Sequence, residues 1–427
     1  MATPKLRFKG FYEKWQLTQL KDKADFLAGY AFSSKLMSNN ICQYQLIKMS
    51  NIYKNKLDIN RNPSYWQSIN KKTEKYLLSK GDIVLTLTGT VGKKDYGYSV
   101  EINKNDKYLL NQRLVRIKGK EEESTSKFLH YRVSTSIFYY HFFNAAKGGT
   151  GNQANVSVED IKLIKILFPS IKEQTKIATF LSAVDTKIDE LTQKHELLVE
   201  YKKGMMQQIF SQKLRFKADD GSDFEDWEES KFSEFFTFHM TNSLSRAKLS
   251  EQGNVMNIHY GDIHTKFSTL FDTTKEDVSF IKNKTDALKI KSDQFLQIGD
   301  LIIADASEDY DDIGKTLEII NLDGKKAVAG LHTYIARPNQ TYATGFCGYM
   351  MQAEKIRKQI KVLATGISVL GISKTNLNKL DLAMPSLPEQ TKIASFLTAI
   401  DQKIDNVAEQ IDHAKTWKKG LLQQMFV

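Results

Sequence analysis

The amino-acid sequence predicts a mixed α/β protein of two globular domains separated by two long antiparallel coiled-coil helices, the whole arranged as a pseudo-twofold internal repeat. Three observations predict it. Residues 168–210 recur at residues 384–426, with 21 of 43 positions identical in a gapless alignment. Each copy carries an apolar seam with heptad spacing. The segments outside the copies alternate short Ile-, Val- and Leu-rich runs, opened by turn residues, with longer helical patterns. The expected boundaries are 1–168 for the first domain, 169–212 for the first helix, 213–384 for the second domain and 385–427 for the second helix.

Along the chain, Lys5-Leu6-Arg7-Phe8-Lys9 returns as Lys213-Leu214-Arg215-Phe216-Lys217, each leading through an aromatic and acidic stretch to a tryptophan, Trp15 and Trp227. Gly81 to Leu87 and Gly299 to Ile303 read as strands, with Leu114 to Ile117 and Tyr334 to Ala336 as later ones. Lys127 to Phe143 and Met351 to Leu363 read as helices. In the first repeated segment Ile177, Leu181, Val184, Ile188, Leu191, His195 and Leu198 follow a 4-3 alternation, the a/d seam of a heptad. The second repeats it with Ile393, Leu397, Ile400, Ile404, Val407, Ile411 and Ala414. His195 reads as a tolerated seam residue. Ser170-x-x-Glu173 and Ser386-x-x-Glu389 have the pattern of capping boxes and mark both helix starts. From Lys172 to Phe210 is 39 residues, and at about 1.5 Å per residue the helix runs roughly 58 Å. A narrow seam of that length needs a partner, and the matching seam in the chain is the other copy.

Of the charged residues, 61 are Lys or Arg and 50 are Asp or Glu, a net charge of +11. The excess sits in residues 1–168, with 28 basic against 14 acidic side chains; residues 213–383 carry 22 against 25. A polyanionic partner suits the first half and is permitted for the second. Two cysteines, Cys42 and Cys347, support neither a disulfide framework nor a cysteine metal site. The opening MATPKLRFKG has no apolar signal core and no run approaches 18 apolar residues, so a soluble, cytoplasmic protein without membrane contact is expected.

Chemistry-bearing motifs are missing. There is no Gly-x-x-x-x-Gly-Lys-Ser/Thr, no His-Glu-x-x-His and no Gly-x-Ser-x-Gly, so no catalytic residue, no metal site and no cofactor bound by this chain is expected. Asn62-Pro63-Ser64-Tyr65 reads as a turn. The glycine-rich run Lys147-Gly148-Gly149-Thr150-Gly151-Asn152-Gln153 and its counterpart Ala364-Thr365-Gly366-Ile367-Ser368 read either as phosphate-positioning loops or as plain β-connections. Asp305, Glu308, Asp309, Asp311 and Asp312 lack the spacing of a calcium loop and read as a solvated loop. Side chains suited to base edges and phosphates gather near the strands: Thr86, Thr88, Thr90, Lys93, Lys94, Asn111, Gln112, Arg113, Lys147, Asn152 and Gln153 in the first domain, and Ser307, Tyr310, His332 and Lys374 in the second. Leu110-Asn111-Gln112-Arg113 aligns with Gly330-Leu331-His332-Thr333, so the two halves carry different side chains here.

Pro4-x-Leu6-Arg7-Phe8-x-Gly10-Phe11 to Trp15, the Gly-Asp-hydrophobic strand in each half, and Pro-Ser-x-x-Glu-Gln-x-Lys-Ile-Ala-x-Phe-Leu at Pro169 and Pro385 together resemble the specificity (S) subunit of type I restriction-modification systems, over the whole chain. The resemblance implies two target-recognition domains, each reading one half of a split, asymmetric site in double-stranded DNA. It implies that the helices set the gap and dock two methyltransferase subunits, and that restriction translocase-nuclease subunits join for cleavage. Methyl transfer from S-adenosylmethionine would belong to the partner, leaving this chain non-catalytic. The alternatives are a self-contained DNA methyltransferase or nuclease, which lacks its cofactor motif here, and a coiled-coil scaffold carrying two modules that do not bind nucleic acid.

Overall fold

A computed structural model describes residues 3–148 and 153–426. The chain divides into two compact units, Met1–Leu191 with Glu409–Val427, and Thr192–Ala408. Each unit therefore owns part of both long helices, Ile171–Phe210 and Leu387–Met425.

In the first unit an antiparallel sheet runs in the order Ser99–Glu101, Ile83–Thr86, Leu114–Gly119, Ala24–Ala28. A second sheet runs Tyr65–Trp66, Tyr44–Ile47, Tyr108–Leu110, Leu77–Leu78, and its two inner strands are parallel. The second unit repeats the plan. Phe236–His239, Thr333–Pro338, Leu301–Ala304 and Thr316–Asn321 form the matching sheet, extended by a fifth strand, Leu270–Asp272. Val255–Ile258 and Lys326–Ala329 are its parallel pair. A two-stranded ribbon leads into each long helix, Gln16–Gln19 with Lys165–Phe168, and Glu228–Lys231 with Asp381–Met384.

The helical regions are more broken than the sequence pattern indicates. Lys127 to Phe143 folds as two helices, Ser126–Arg132 and Ser136–Asn144. Thr125 and Thr135 adopt extended backbone and their hydroxyls accept the N–H of Phe128 and Phe138, so Thr135 starts a new helix where apolar periodicity alone continues the old one. Likewise Phe346–Gln352 and Glu354–Leu363 are separated by the extended residue Ala353.

The capping boxes at the long helices do not form. Glu173 instead accepts a bidentate pair from Arg7 (Nε 2.7 Å, Nη2 2.8 Å), and Glu389 from Arg215 (3.2 and 2.8 Å). A carboxylate that is almost completely buried gains more from a guanidinium fork than from one backbone amide, and Ser386 Oγ is left without a partner among the described residues. This explains the paired recurrence of Lys-Leu-Arg-Phe and Glu-Gln. The arginine anchors the helix start, while the following glutamine ties it to the domain: Gln174 accepts from Ser124 Oγ and donates to the Pro169 carbonyl, and Gln390 accepts from Ala343 N and donates to the Pro385 carbonyl.

Within each unit the start of one long helix packs antiparallel to the end of the other. Ile177, Leu181 and Val184 share a core with Leu421, Met425 and Phe426 in the first; Ile393, Leu397 and Ile400 share one with Ile209 and Phe210 in the second. Leu191, Val407 and Ile411 are also buried, whereas Ile188, His195, Leu198 and Ile404 are half-buried. The first turns of each helix thus belong to a domain core before they belong to a seam. Buried tyrosines repeat the same bolt: Tyr131 donates to Asp185, which pairs with Lys418, and Tyr349 donates to Asp401, which pairs with Lys202.

Candidate nucleic-acid interface

In each unit three strand ends converge on one place: the carboxyl ends of the two parallel strands and of the central antiparallel strand, Ile83–Thr86 or Leu301–Ala304. The carboxyl ends of parallel strands are where open sheets gather ligand-facing loops. A two-residue turn links each second parallel strand to the next strand of the antiparallel sheet, Gln112-Arg113 in the first unit and Leu331-His332 in the second.

The register aligns these turns one residue away from the gapless sequence comparison. Leu114 pairs with Thr86 and Thr333 with Ala304. Asn111 N donates to the Ile47 carbonyl (3.2 Å) as Gly330 N does to that of Ile258 (2.9 Å), and the Arg113 carbonyl accepts from Leu87 N (3.0 Å) as that of His332 does from Asp305 N (3.1 Å). Arg113 therefore occupies the position of His332, and Asn111 that of Gly330. A side chain at Gly330 would press within 2.6 Å of Asn257 Nδ2, which is why this corner takes glycine.

Around the first turn, Lys48 donates to Ser64 Oγ at 2.7 Å, and burial lowers the ammonium's pKa. Asn62, at φ 48°, turns the chain into the strand that carries Tyr65, so this tetrapeptide serves as the turn it resembles. Thr88 donates to Met49 Sδ. Around the second turn, His259 takes the place of Lys48 and Tyr260 that of Met49. His259 Nδ1 accepts the Gly261 N–H at 3.1 Å; Arg246 bonds Asp262 at 2.9 Å and approaches His259 at 3.3 Å. Desolvation first, then the Arg246 charge, lowers the His259 pKa. The His332 ring lies 5.3 Å from that of Tyr260, with Nδ1 3.2 Å from Asp305 Oδ1.

Several sequence candidates reach this surface. Gln112, Arg113, Lys93, Lys94, Gln153 and His332 are exposed. Thr90 is half-buried and held by Asp95, whose carboxylate takes both the backbone N–H (2.6 Å) and the hydroxyl (2.9 Å) and is thereby kept below the usual range. Lys374 lies over the rings of Tyr334 and Phe238. Tyr310 is exposed but bonds the Lys361 carbonyl on the Glu354–Leu363 helix. Thr86, Asn111 and Ser307 are corrections. All three are buried, and their side-chain oxygens accept the backbone N–H of Tyr98, Gln112 and Asp309 respectively, which ties them into the sheet and turns. The Lys147 backbone pairs with Asn155; Asn152, with most of the glycine-rich run, lies outside the described residues. Its counterpart is a tight β-connection closed by reciprocal Thr365–Gly371 hydrogen bonds, in which a Cβ on Gly366 would come within 2.1 Å of the Val369 carbonyl oxygen. Lys48, Arg246 and Tyr260, beside the buried His259, also line this corner and are not singled out by sequence reasoning. Their signal is positional, immediately after or opposite a parallel strand that single-strand patterning does not pair.

The acidic stretch is partly neutralised locally: Asp311 pairs with Lys361, and Asp312 with Lys315. No cluster of metal-ligating side chains occurs among the described residues, and no helix among them is long and apolar enough to cross a membrane.

Two α/β domains with different polar turns on a repeated helical frame place the chain among duplicated two-domain proteins. The type I restriction modification DNA specificity domain model matches residues 12–200 and again residues 224–415, and the chain belongs to that family. It is 26% identical to the type I restriction enzyme MjaVIII specificity subunit of Methanocaldococcus jannaschii, over 81% of this chain and 79% of that one. A second chain of that organism, provisionally named the MjaX specificity subunit, is 23% identical over 96% of this chain and 93% of its own length. The fold is shared with the S subunit of a type I system from M. genitalium (TM-score 0.58, 16% identity, covering 100% of this chain and 99% of that one). It is also shared with a chain from a structure of the assembly and conformational transition of a type I system (TM-score 0.54, 15% identity, 97% and 98% covered).

Proposed function

We propose that this chain is the DNA-reading, non-catalytic subunit of a type I restriction-modification complex, each domain reading one half of a bipartite, asymmetric site. The observation that carries the reading is the pairing of one architecture with two different surfaces: the same converging strand ends present Lys48, Gln112 and Arg113 in one unit and Tyr260, Leu331 and His332 in the other. One domain gains about 1–3 kcal/mol of discrimination per good base contact. Two domains on a common frame multiply what either discriminates alone, and the Lys and Arg excess of the first supplies salt-dependent phosphate affinity. The long helices set the gap between half-sites and dock two methyltransferase subunits, which bind S-adenosylmethionine and transfer its methyl group; translocase-nuclease subunits join for restriction. The complex works on double-stranded DNA in the cytoplasm.

The test is to co-express the chain with its methyltransferase partner in a host lacking adenine methylation and map methylated adenines by single-molecule sequencing. A bipartite asymmetric motif with one fixed gap is expected. A soluble complex that methylates nothing, or methylates without sequence preference, contradicts the proposal.

A further inference from the structure

Arg113 and His332 share three features. They occupy the same place in the fold, pinned on both sides by equivalent backbone hydrogen bonds. Both have left-handed backbone, φ 66° and 58°, a conformation in which glycine is the undemanding residue. Both nevertheless carry a long polar side chain that is exposed. Non-glycine residues held in this conformation at matching points of two diverged domains indicate a side chain kept for what it does.

We infer that Arg113 and His332 are the paired base-reading residues of the two domains, one for each half-site. The inference rests on the proposal that the domains read DNA and adds which residues do so. The Arg113 side chain makes no hydrogen bond or ion pair among the described residues, so its fork of donors is free for the two acceptors on the major-groove edge of guanine. His332 is fixed through Nδ1 by Asp305, which leaves Nε2 to meet a base edge. A phosphate anchor fits this position poorly: it would keep a cation in both domains, whereas the second places a carboxylate 3.2 Å from the imidazole, which repels a phosphate. Lys93 and Lys94, exposed on the neighbouring turn, are better placed for the backbone of the duplex.

The experiment compares methylation maps of the complex carrying Arg113→Gly, Arg113→Lys or His332→Gly with that of the native complex. Glycine suits the left-handed backbone, and Arg113→Lys keeps charge and length while losing the bidentate fork. Both Arg113 variants are expected to relax a single base-pair position in one half-site, with preference for the native base falling roughly tenfold to a hundredfold. His332→Gly is expected to relax a single position in the other half-site. An unchanged motif, an even loss of methylation across all sites, Arg113→Lys behaving as native, or both residues acting on the same half-site would overturn the inference while leaving DNA reading intact. A native complex with no bipartite motif would instead overturn the reading on which it rests.

Discussion

Glu101 and Glu318 occupy the same register in the two units, opposite Ile83 and Leu301, and meet different fates. Glu101 is partly exposed and pairs with Lys127 on the first turn of its helix. Glu318 is buried, and where Lys127 stands the second unit has Gly345, so its carboxylate accepts the backbone N–H groups of Gly345 and Gly348, both at 2.6 Å, at the N-terminus of Phe346–Gln352. Burial outweighs those bonds and raises its pKa to about 7. The duplicated frame thus tolerates an exposed ion pair or a buried helix-capping acid at one position, provided the helix stays on the sheet. By contrast, the arginine–glutamate clamp, the glutamine tie and the tyrosine–aspartate bolt keep their geometry in both units. What differs between the copies lies at the strand ends and in local pairings such as this one; what repeats holds the long helices.

The largest effect that would sharpen this comparison is loss of a clamp. Arg7→Ala leaves Glu173 buried without its guanidinium and is expected to destabilise the first unit by about 3–5 kcal/mol. Arg215→Ala is expected to destabilise the second by less, because Glu389 keeps the Trp227 indole N–H at 3.0 Å. Urea unfolding of both variants checks the order, and an equal or reversed loss breaks the account.

Glu318 comes next. With its folded pKa near 7 and an ordinary value of 4.5, the folded state holds a proton that the unfolded state releases, so the stability this carboxyl contributes is fully present below about pH 4.5 and is lost as pH rises through about 7. The change is on the order of 3 kcal/mol. Thermal melts of the native chain and of Glu318→Gln across that window should converge in slope except for this decline, which the glutamine removes.

A smaller contrast separates the tryptophans. Trp227→Phe loses a hydrogen bond to a buried carboxylate, whereas the Trp15 indole N–H is buried without a partner among the described residues. Trp227→Phe should therefore exceed Trp15→Phe by about 1–3 kcal/mol in unfolding free energy. Smallest and equal in the two units should be Tyr131→Phe and Tyr349→Phe, each about 1 kcal/mol from the lost bond to an aspartate; a difference between them would mean that the two bolts are not equivalent.

Much of the fold was legible in the sequence because the duplication supplied an internal comparison. The repeat located both long helices to within a residue or two, and the 4-3 spacing marked Leu181 and Leu397 as core-facing. The Thr135 and Ala353 breaks escaped because apolar periodicity runs across them. The capping boxes misled because their serine and glutamate fit a local pattern, while the true partner, arginine, lies 166 or 174 residues away. At the candidate site, polarity alone could not separate buried Thr86 and Asn111 from exposed Gln112 and Arg113. The equivalence of Arg113 with His332 needed the strand register, since the offset between copies is 208 at Arg7 and Arg215, 219 at these turns and 216 in the helices.

The most direct test of the central claim, that each domain independently reads its own half-site, is to replace residues 213–384 with the corresponding segment of the MjaVIII relative and map methylated adenines. The account predicts that one half of the motif changes and the other stays as in the native complex. A motif in which both halves change, or neither does, would contradict it.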